Sequence, residues 1–364
     1  MNKKEESEYS IEQFTLDESN IEEYSKLITA AFLADAAAQV DGASIIFTEQ
    51  TFRTIFGGPS IDNDFFIRVI HKPTNELVGF FGLIPRKLAI NKKVYKSAIP
   101  SWISVRSDHQ RQGLAKLMGK KMLELGLAAD YDCGFALFEP EQRGIDTAEA
   151  VARETNIPMK RAFYLTKYVI RVFDANKTAS AVKVKWYEKL VFKLLQSVKE
   201  PKNLSVRRYH KNDIDQIFEL MGDFPERNQI SIVPNYEDLK WMLSNPNVVC
   251  VVHENDASKI DGFIFAWEFV LAGFGNQTTF GWLDAVHIHR LSSKDATDLA
   301  KGLCFEAKKS GWAGIQTPYI PYFDSKPLKK AKFIFFPKRL SLDLFNLKNI
   351  DLPEDIESVY VEWR

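Results

Sequence analysis

Ser101 to Asp130 is the stretch that most restricts what this chain can fold into. Trp102-Ile103-Ser104-Val105 is an apolar run of strand type, and the polar turn Arg106-Ser107-Asp108-His109 ends it. Gln110-Arg111-Gln112-Gly113-Leu114-Ala115 follows. From Gly113 onward Leu114, Leu117, Met118, Met122 and Leu125 recur at helical spacing, with Lys116, Lys120 and Lys121 on the other side. A strand must therefore run through a tight loop directly into a helix.

A loop feeding a helix leaves backbone N–H groups unpaired at the positive end of the helix dipole, which makes it an anion site. Gly113 carries no Cβ to keep a phosphate away, Ala115 keeps the next turn thin, and Arg111 and Lys116 add positive charge. A diphosphate fits such a loop better than a single carboxylate does.

Gln110, Gly113 and Ala115 fill a Q-x-x-G-x-A pattern. In this the chain resembles the GNAT superfamily of acyl-CoA-dependent N-acyltransferases, whose pyrophosphate loop reads Q/R-x-x-G-x-G/A. The resemblance implies that Gln110, Arg111, Gln112, Gly113, Leu114, Ala115 and Lys116 hold the diphosphate of acetyl-CoA or another acyl-CoA. It also implies that Ile103, Ser104 and Val105, on a strand that splays from its neighbour, bind the pantetheine arm through backbone atoms.

At 364 residues the chain is long for one core, so two domains are expected, each near the size of a GNAT domain. Hydrophobic residues at 45% and charged residues at 26% fit a soluble globular protein. A formal net charge of zero gives no overall argument for nucleic acid or an anionic membrane, and no stretch approaches the length of a membrane span. Cys133, Cys250 and Cys304 are odd in number and sit in apolar stretches, which predicts buried reduced thiols and a cytoplasmic setting. The charged segment Met1 to Ser10 lacks the apolar core of a secretory signal.

In chain order, Tyr9 to Leu16 predicts a first strand, and Asn20 to Phe32 and Thr48 to Phe56 predict helices. Phe65 to His71 and Leu77 to Leu83 predict a hairpin, and Leu88 to Lys92 and Val94 to Val105 predict further strands. Gly134 to Phe138 is continuously apolar, as a central strand should be. Gly144 to Thr155 predicts a helix, and Lys160 to Phe173 the closing strands. This is the GNAT order, so the resemblance covers about residues 9 to 174.

Val184, Tyr187, Leu190, Val191, Leu194, Leu195 and Val198 form an apolar stripe between lysines. The expectation is a helix docked between two domains with its lysines in water; a basic amphipathic helix on a membrane surface is the weaker reading. In the second half, Val251-Val252-His253 and Ile260-Asp261-Gly262-Phe263 echo Val69-Ile70-His71 and Leu77-Val78-Gly79-Phe80, which implies an internal repeat. Asn212 to Met221 and Tyr236 to Leu243 match the early helices, Trp282 to His289 the strand before the loop, and Gly314 to Pro321 the strand at Gly134. Phe333 to Leu347 and Ser358 to Trp363 are expected to close the second sheet. If Val286 is matched to Val105, Lys294 replaces Gly113 and Leu291 replaces Gln110, so the second copy is expected to bind no coenzyme. The basic stretch from Lys326 to Arg339 reads as a solvated face, without RNA contact.

The expected fold class is therefore α/β (α+β), two tandem GNAT-like folds, each a mixed central sheet flanked by helices. The expected domains are 1–175, catalytic and acyl-CoA-binding; 176–203, an amphipathic helical connector; and 204–364, a degenerate GNAT-like copy. Acyl transfer to an amine needs a free amine, an oxyanion donor and a proton for the leaving thiolate. The resemblance places the acyl group between the strands ending at Val105 and Phe138, with the Val105 N–H on the carbonyl. Glu139, ending the fifth strand, is the candidate general base. The helix at Gly144 to Thr155 lacks the Tyr that many relatives use as acid, and Tyr164 is the substitute candidate. Asp284, His287 and His289 do not make a metal site by spacing, and no metal is expected. They could instead line an acceptor pocket with Trp282 and Glu268.

The expected function is transfer of an acyl group, foremost acetyl, from acyl-CoA to a small-molecule primary amine in a ternary complex. The alternatives are a non-catalytic acyl-CoA-binding relative and a long-chain or peptide acyltransferase of N-myristoyltransferase or Fem type.

Overall fold

The computed structural model describes residues 8–34, 43–61, 65–139 and 143–362. Pro140, Trp363 and the charged stretch before Glu8 lie outside them. The first half runs β1 (Tyr9–Phe14), α1 (Ile21–Leu33), β2 (Ser44–Ile46), α2 (Glu49–Phe56), β3 (Phe66–His71), β4 (Glu76–Ile90), β5 (Lys93–Val105), α3 (Leu114–Ala128), β6 (Cys133–Phe138), α4 (Arg143–Thr155) and β7 (Met159–Val172). Two short helices, α5 (Ala175–Ala181) and α6 (Trp186–Leu195), lead to the second half. There follow β8 (Val206–Arg208), α7 (Ile214–Met221), α8 (Asp223–Arg227), β9 (Ile230–Ile232), α9 (Tyr236–Ser244), β10 (Val248–Glu254), β11 (Ile260–Gly273) and β12 (Asn276–His287). The chain ends with α10 (Ser293–Lys309), β13 (Gly314–Pro318), α11 (Lys326–Lys330), β14 (Ile334–Asn346) and β15 (Val359–Tyr360).

The expected elements of the first half stand in the expected order, with three differences: the short β2 was not foreseen, the closing strands at Lys160 to Phe173 are the single strand β7, and two earlier strands are merged. The two strands foreseen at Leu77 and Leu88 are one long β4, which turns through the left-handed pair Asn91 and Lys92 into β5. The repeat is real in the pairing: β10 pairs antiparallel with β11 and β11 with β12, as β3 does with β4 and β4 with β5. Gly79 is required where β4 passes under α3, because a Cβ there would stand 2.8 Å from the Val69 side chain and 3.4 Å from Met118.

The two halves share one sheet. Its strand order is β1-β3-β4-β5-β6-β14-β7-β13-β12-β11-β10-β8. This corrects the expectation that Phe333 to Leu347 closes the second sheet. β14 instead lies between β6 and β7 of the first half, pairing Ser341 with Phe138 on one side and with Tyr164 on the other, while β7 crosses to pair with β13. Each half lends a strand to the other, so the exchanged strands are hydrogen-bonded on both sides.

A second correction concerns the connector. The middle of the stripe at Val184 to Val198 is not docked: Tyr187, Leu190, Val191 and Leu194 are exposed and no residue of α6 is buried, while Val184 and Leu195 are half-buried and Val198 packs on the core. The three cysteines are buried and free, as expected, and burial pushes the Cys133 thiol up to about 11. Among the described residues no helix is long and apolar enough to cross a membrane.

Candidate active site

The site starts from a kink in β5. Between Ser101 and Ser104 the register against β4 slips by one residue, and Trp102 takes a left-handed φ of 62°. That conformation is costly for a bulky residue and is held here by packing of the indole against Phe32 and Phe47. β5 pairs with β6 only at Ser97–Cys133 and Ala98–Gly134, and beyond that the parallel strands diverge. Ile99 to Val105 thus face β6 across an open wedge. The Arg106 N–H donates to the Val78 carbonyl on the β4 side, so by strand alternation the Val105 N–H faces the wedge.

At the wide end of the wedge β5 becomes the loop. A 3-10 turn at Ser107–His109 precedes α3, whose N-cap is Gly113 at φ 78°. A Cβ on Gly113 would meet nothing within 4 Å; glycine is needed here for its left-handed φ and leaves the space above it open. Leu117 is the first residue of this turn whose N–H finds a helical carbonyl, that of Gly113 at 3.0 Å. α3 has no side-chain cap and no acidic residue in its first turn. Its N-terminus is therefore an uncompensated positive end, open to an anion.

The loop is braced from behind. Gln110 Nε2 donates to the Val105 carbonyl at 3.2 Å, and the buried His109 ring lies 2.8 Å from Tyr9 Oη and 2.8 Å from Arg106 Nη2. Tyr9 Oη also donates to Gln112 Oε1. Burial holds the His109 imidazole below its ordinary pKa. Of the two loop cations, Arg111 is exposed at φ 64° and has no hydrogen bond or ion pair among the described residues. Lys116 pairs with Glu154 of α4 at 2.7 Å, and Lys120 with the same carboxylate at 2.6 Å. Those bonds draw Glu154 down to about 2. Ser104 is buried, with its hydroxyl donating to the Trp102 carbonyl, so only its backbone serves the wedge.

Glu139 stands at the end of β6 and forms an ion pair with Lys338 at 2.7 Å. Lys338 belongs to a bulge of β14, and its ammonium also lies over the Tyr168 ring. The two catalytic candidates are not brought together. Tyr164 is on β7, with β14 between it and β6, which is two strand spacings or about 10 Å. Its hydroxyl accepts from Arg161 Nη1 at 2.6 Å, and the Arg339 guanidinium covers its ring at 3.8 Å. The basic stretch is largely exposed, as expected, but two of its members have partners here: half-buried Lys338 at Glu139 and exposed Arg339 over the Tyr164 ring. The missed partner is Asp343 on β14. It pairs with Arg161 at 3.1 Å, and burial raises its carboxyl pKa. An open cleft of about 560 Å³ adjoins this group, lined by Arg161, Ala162, Phe163 and Tyr164 and, across from them, Glu354, Asp355, Ile356 and Glu357.

The second half repeats the register slip but not the left-handed residue or the loop. β12 slips register at Asp284 and pairs with β13 only from Phe280 to Trp282. Ser292 caps α10 by accepting from the Asp295 N–H, and its hydroxyl donates to the Asp295 carboxylate at 2.6 Å. Lys294 lies inside the helix. A negative side chain therefore sits in the first turn, where α3 has none. The Ser-x-x-Asp spacing of Ser292 and Asp295 is a cap signal legible in the sequence itself.

His287 and His289 are joined by Asp223 of α8, a residue the sequence did not point to, at 3.0 Å and 2.8 Å. Arg290 holds the same carboxylate through two bonds, so the group is a charge-compensated network. Burial, with His289 adding to it, lowers His287 to about 4. Glu268 accepts from Trp312 Nε1, and Trp282 packs against Tyr168 and Trp267, apart from the two imidazoles.

Residues 15–129 match the family model of the acetyltransferase (GNAT) domain. No curated protein matches the chain. Among solved structures, Saccharomyces cerevisiae N-myristoyltransferase with bound myristoyl-CoA superposes with a TM-score of 0.75 at 18% identity, over 93% of this chain and 79% of that one. A structure of the same yeast enzyme with myristoyl-CoA and inhibitors gives 0.75 at 17% identity, over 98% and 86%. At such identity the likeness shows a shared fold, which spans nearly the whole of this chain.

Proposed function

We infer, from the premise that this chain belongs to the GNAT acyl-CoA N-acyltransferases, that the wedge between β5 and β6 holds the acyl-pantetheine arm and the N-terminus of α3 holds the diphosphate. One observation carries this reading: a helix N-terminus with no cap and no acid stands at the wide end of a splayed strand pair. Gln110 to Lys116 surround the diphosphate, with Arg111 the cation still available to it. Ile103, Ser104 and Val105 offer backbone to the arm. With Ser292 and Asp295 at the matching place, the second copy takes no coenzyme, and we keep 1–175, 176–203 and 204–364 as working units that exchange strands.

The Val105 N–H would stabilise the oxyanion as the amine nitrogen attacks the thioester carbon. The carbon–sulfur bond then breaks, and the thiolate leaves with a proton from solvent or the site. Glu139 is the residue best placed to take the proton from the attacking amine, once the acceptor displaces the Lys338 ammonium. Tyr164, beyond β14, serves the acceptor cleft better than the thiolate. The acids Glu354, Asp355 and Glu357 suit an amine that arrives as a cation. The proposed steps call for no metal, and a cytoplasmic setting suits the buried free thiols.

Acetyl is the first choice of acyl group. A long acyl chain is the second reading, favoured because the yeast enzyme sharing the fold was solved with myristoyl-CoA. Incubating the intact protein with acetyl-CoA or myristoyl-CoA and a panel of amines, and reading free thiol, tests both. Amine-dependent thiol release supports the proposal, and the better donor settles chain length. No release with any pair overturns it.

A further inference from the structure

In a helix packed on a globular protein the apolar side faces inward. α6 instead turns the wider of its apolar sides outward. Glu188, Phe192 and Leu195, half-buried, face the protein, while Trp186, Tyr187, Leu190, Val191 and Leu194 are 75%, 46%, 51%, 41% and 79% exposed. At 100° per residue these five fall within one arc of about 140°. The exposure is not fraying. Buried Arg171 donates to the carbonyls of Leu195 and Ser197 at 2.8 Å and 2.9 Å, Gln196 Oε1 accepts from the Ala175 N–H, and Glu188 caps the Lys185 N–H. The backbone is held in place while the apolar face points to water.

Charge identifies the occupant. Between Lys183 and Lys202 stand six lysines against Glu188 and Glu200, in a chain whose formal charge is zero. Lys189 and Lys193 border the apolar arc on the Trp186 side, and their stems are long enough to carry the ammonium groups out to a headgroup layer. In a two-fold pairing of copies through this face, those lysines would approach one another. We propose that α6 is an interfacial helix that lays the protein on an anionic phospholipid surface, with Trp186, Leu190 and Leu194 at acyl-chain depth and the lysines among the phosphates. This goes beyond the acyl-transfer reading and does not depend on it.

The test is co-sedimentation of the intact protein with vesicles of phosphatidylcholine alone or with one third phosphatidylglycerol, at low and high salt. Binding is expected only with phosphatidylglycerol, and weaker in high salt. Leu190→Ser with Leu194→Ser, and separately Lys189→Glu with Lys193→Glu, should each weaken it by roughly tenfold or more while leaving the melting temperature unchanged. A wild type that ignores anionic vesicles, or variants that bind as well as it does, overturns the proposal. So does a wild-type dimer by light scattering that the leucine variant dissolves while vesicles stay unbound, since the face then belongs to a second copy.

Discussion

The Gln110 side-chain amide donates to the carbonyl of Val105, five residues back, at 3.2 Å, and so ties the end of β5 to the loop that opens α3. The same bond holds the peptide between Val105 and Arg106, the last of β5, relative to the helix N-terminus. Gln110→Leu keeps the bulk and removes the donor. The variant should lose about 1 kcal/mol of stability by thermal melt, and acyl-CoA affinity should drop roughly fivefold because the loop no longer holds its shape. Unchanged affinity would show that the tie is not used.

Glu139→Gln keeps size and much of the hydrogen bonding and removes the base. Turnover should fall on the order of 100-fold with acyl-CoA affinity intact, and the loss should shrink as pH rises and free amine becomes abundant. A pH–rate profile identical to wild type would assign Glu139 to the Lys338 ion pair alone.

The acceptor cleft is tested through its charge. Replacing Glu354, Asp355 and Glu357 by their amides should raise the KM for a cationic amine several-fold and leave kcat nearly unchanged, because the cleft acts before the chemical step. An equal fall in kcat would move these acids into the reaction itself.

His287 gives the fold a pH dependence with a definite sign. Its pKa is near 6.5 when unfolded and about 4 in the fold, where burial excludes the charged ring. The unfolded chain therefore binds the extra proton between those values. The contribution is complete above pH 6.5 and is lost as pH falls toward 4, up to roughly 3 kcal/mol. Chemical denaturation from pH 7 to 4 should show that loss, and His287→Gln should flatten the curve. Parallel curves would contradict it.

The strand, loop and helix from Trp102 to Leu125 were legible because they are local: an apolar run, a turn and a helical repeat fix one another within a few residues. The repeat was legible from the echo of Gly79 in Gly262. Placement of β14 was not, because Leu342 is as apolar between β6 and β7 as it would be beside β13, and pairing over two hundred residues leaves no local trace. Asp223 was missed for the same reason: only the fold brings α8 to His287 and His289. The face of α6 misled, since helical periodicity locates an apolar stripe without saying what it meets.

The central claim is that the open N-terminus of α3 is the chain's one coenzyme diphosphate site. Calorimetric titration of the intact protein with acetyl-CoA and with myristoyl-CoA, beside Gly113→Val, tests it most directly. Valine at φ 78° is strained by about 1–2 kcal/mol and sets a branched side chain in space the glycine leaves open. The account predicts one site per wild-type chain for at least one of the two donors, binding at least tenfold weaker in Gly113→Val, and the same single site in Lys294→Gly. Two equivalent sites, or a Gly113→Val protein that binds as wild type does, would contradict it.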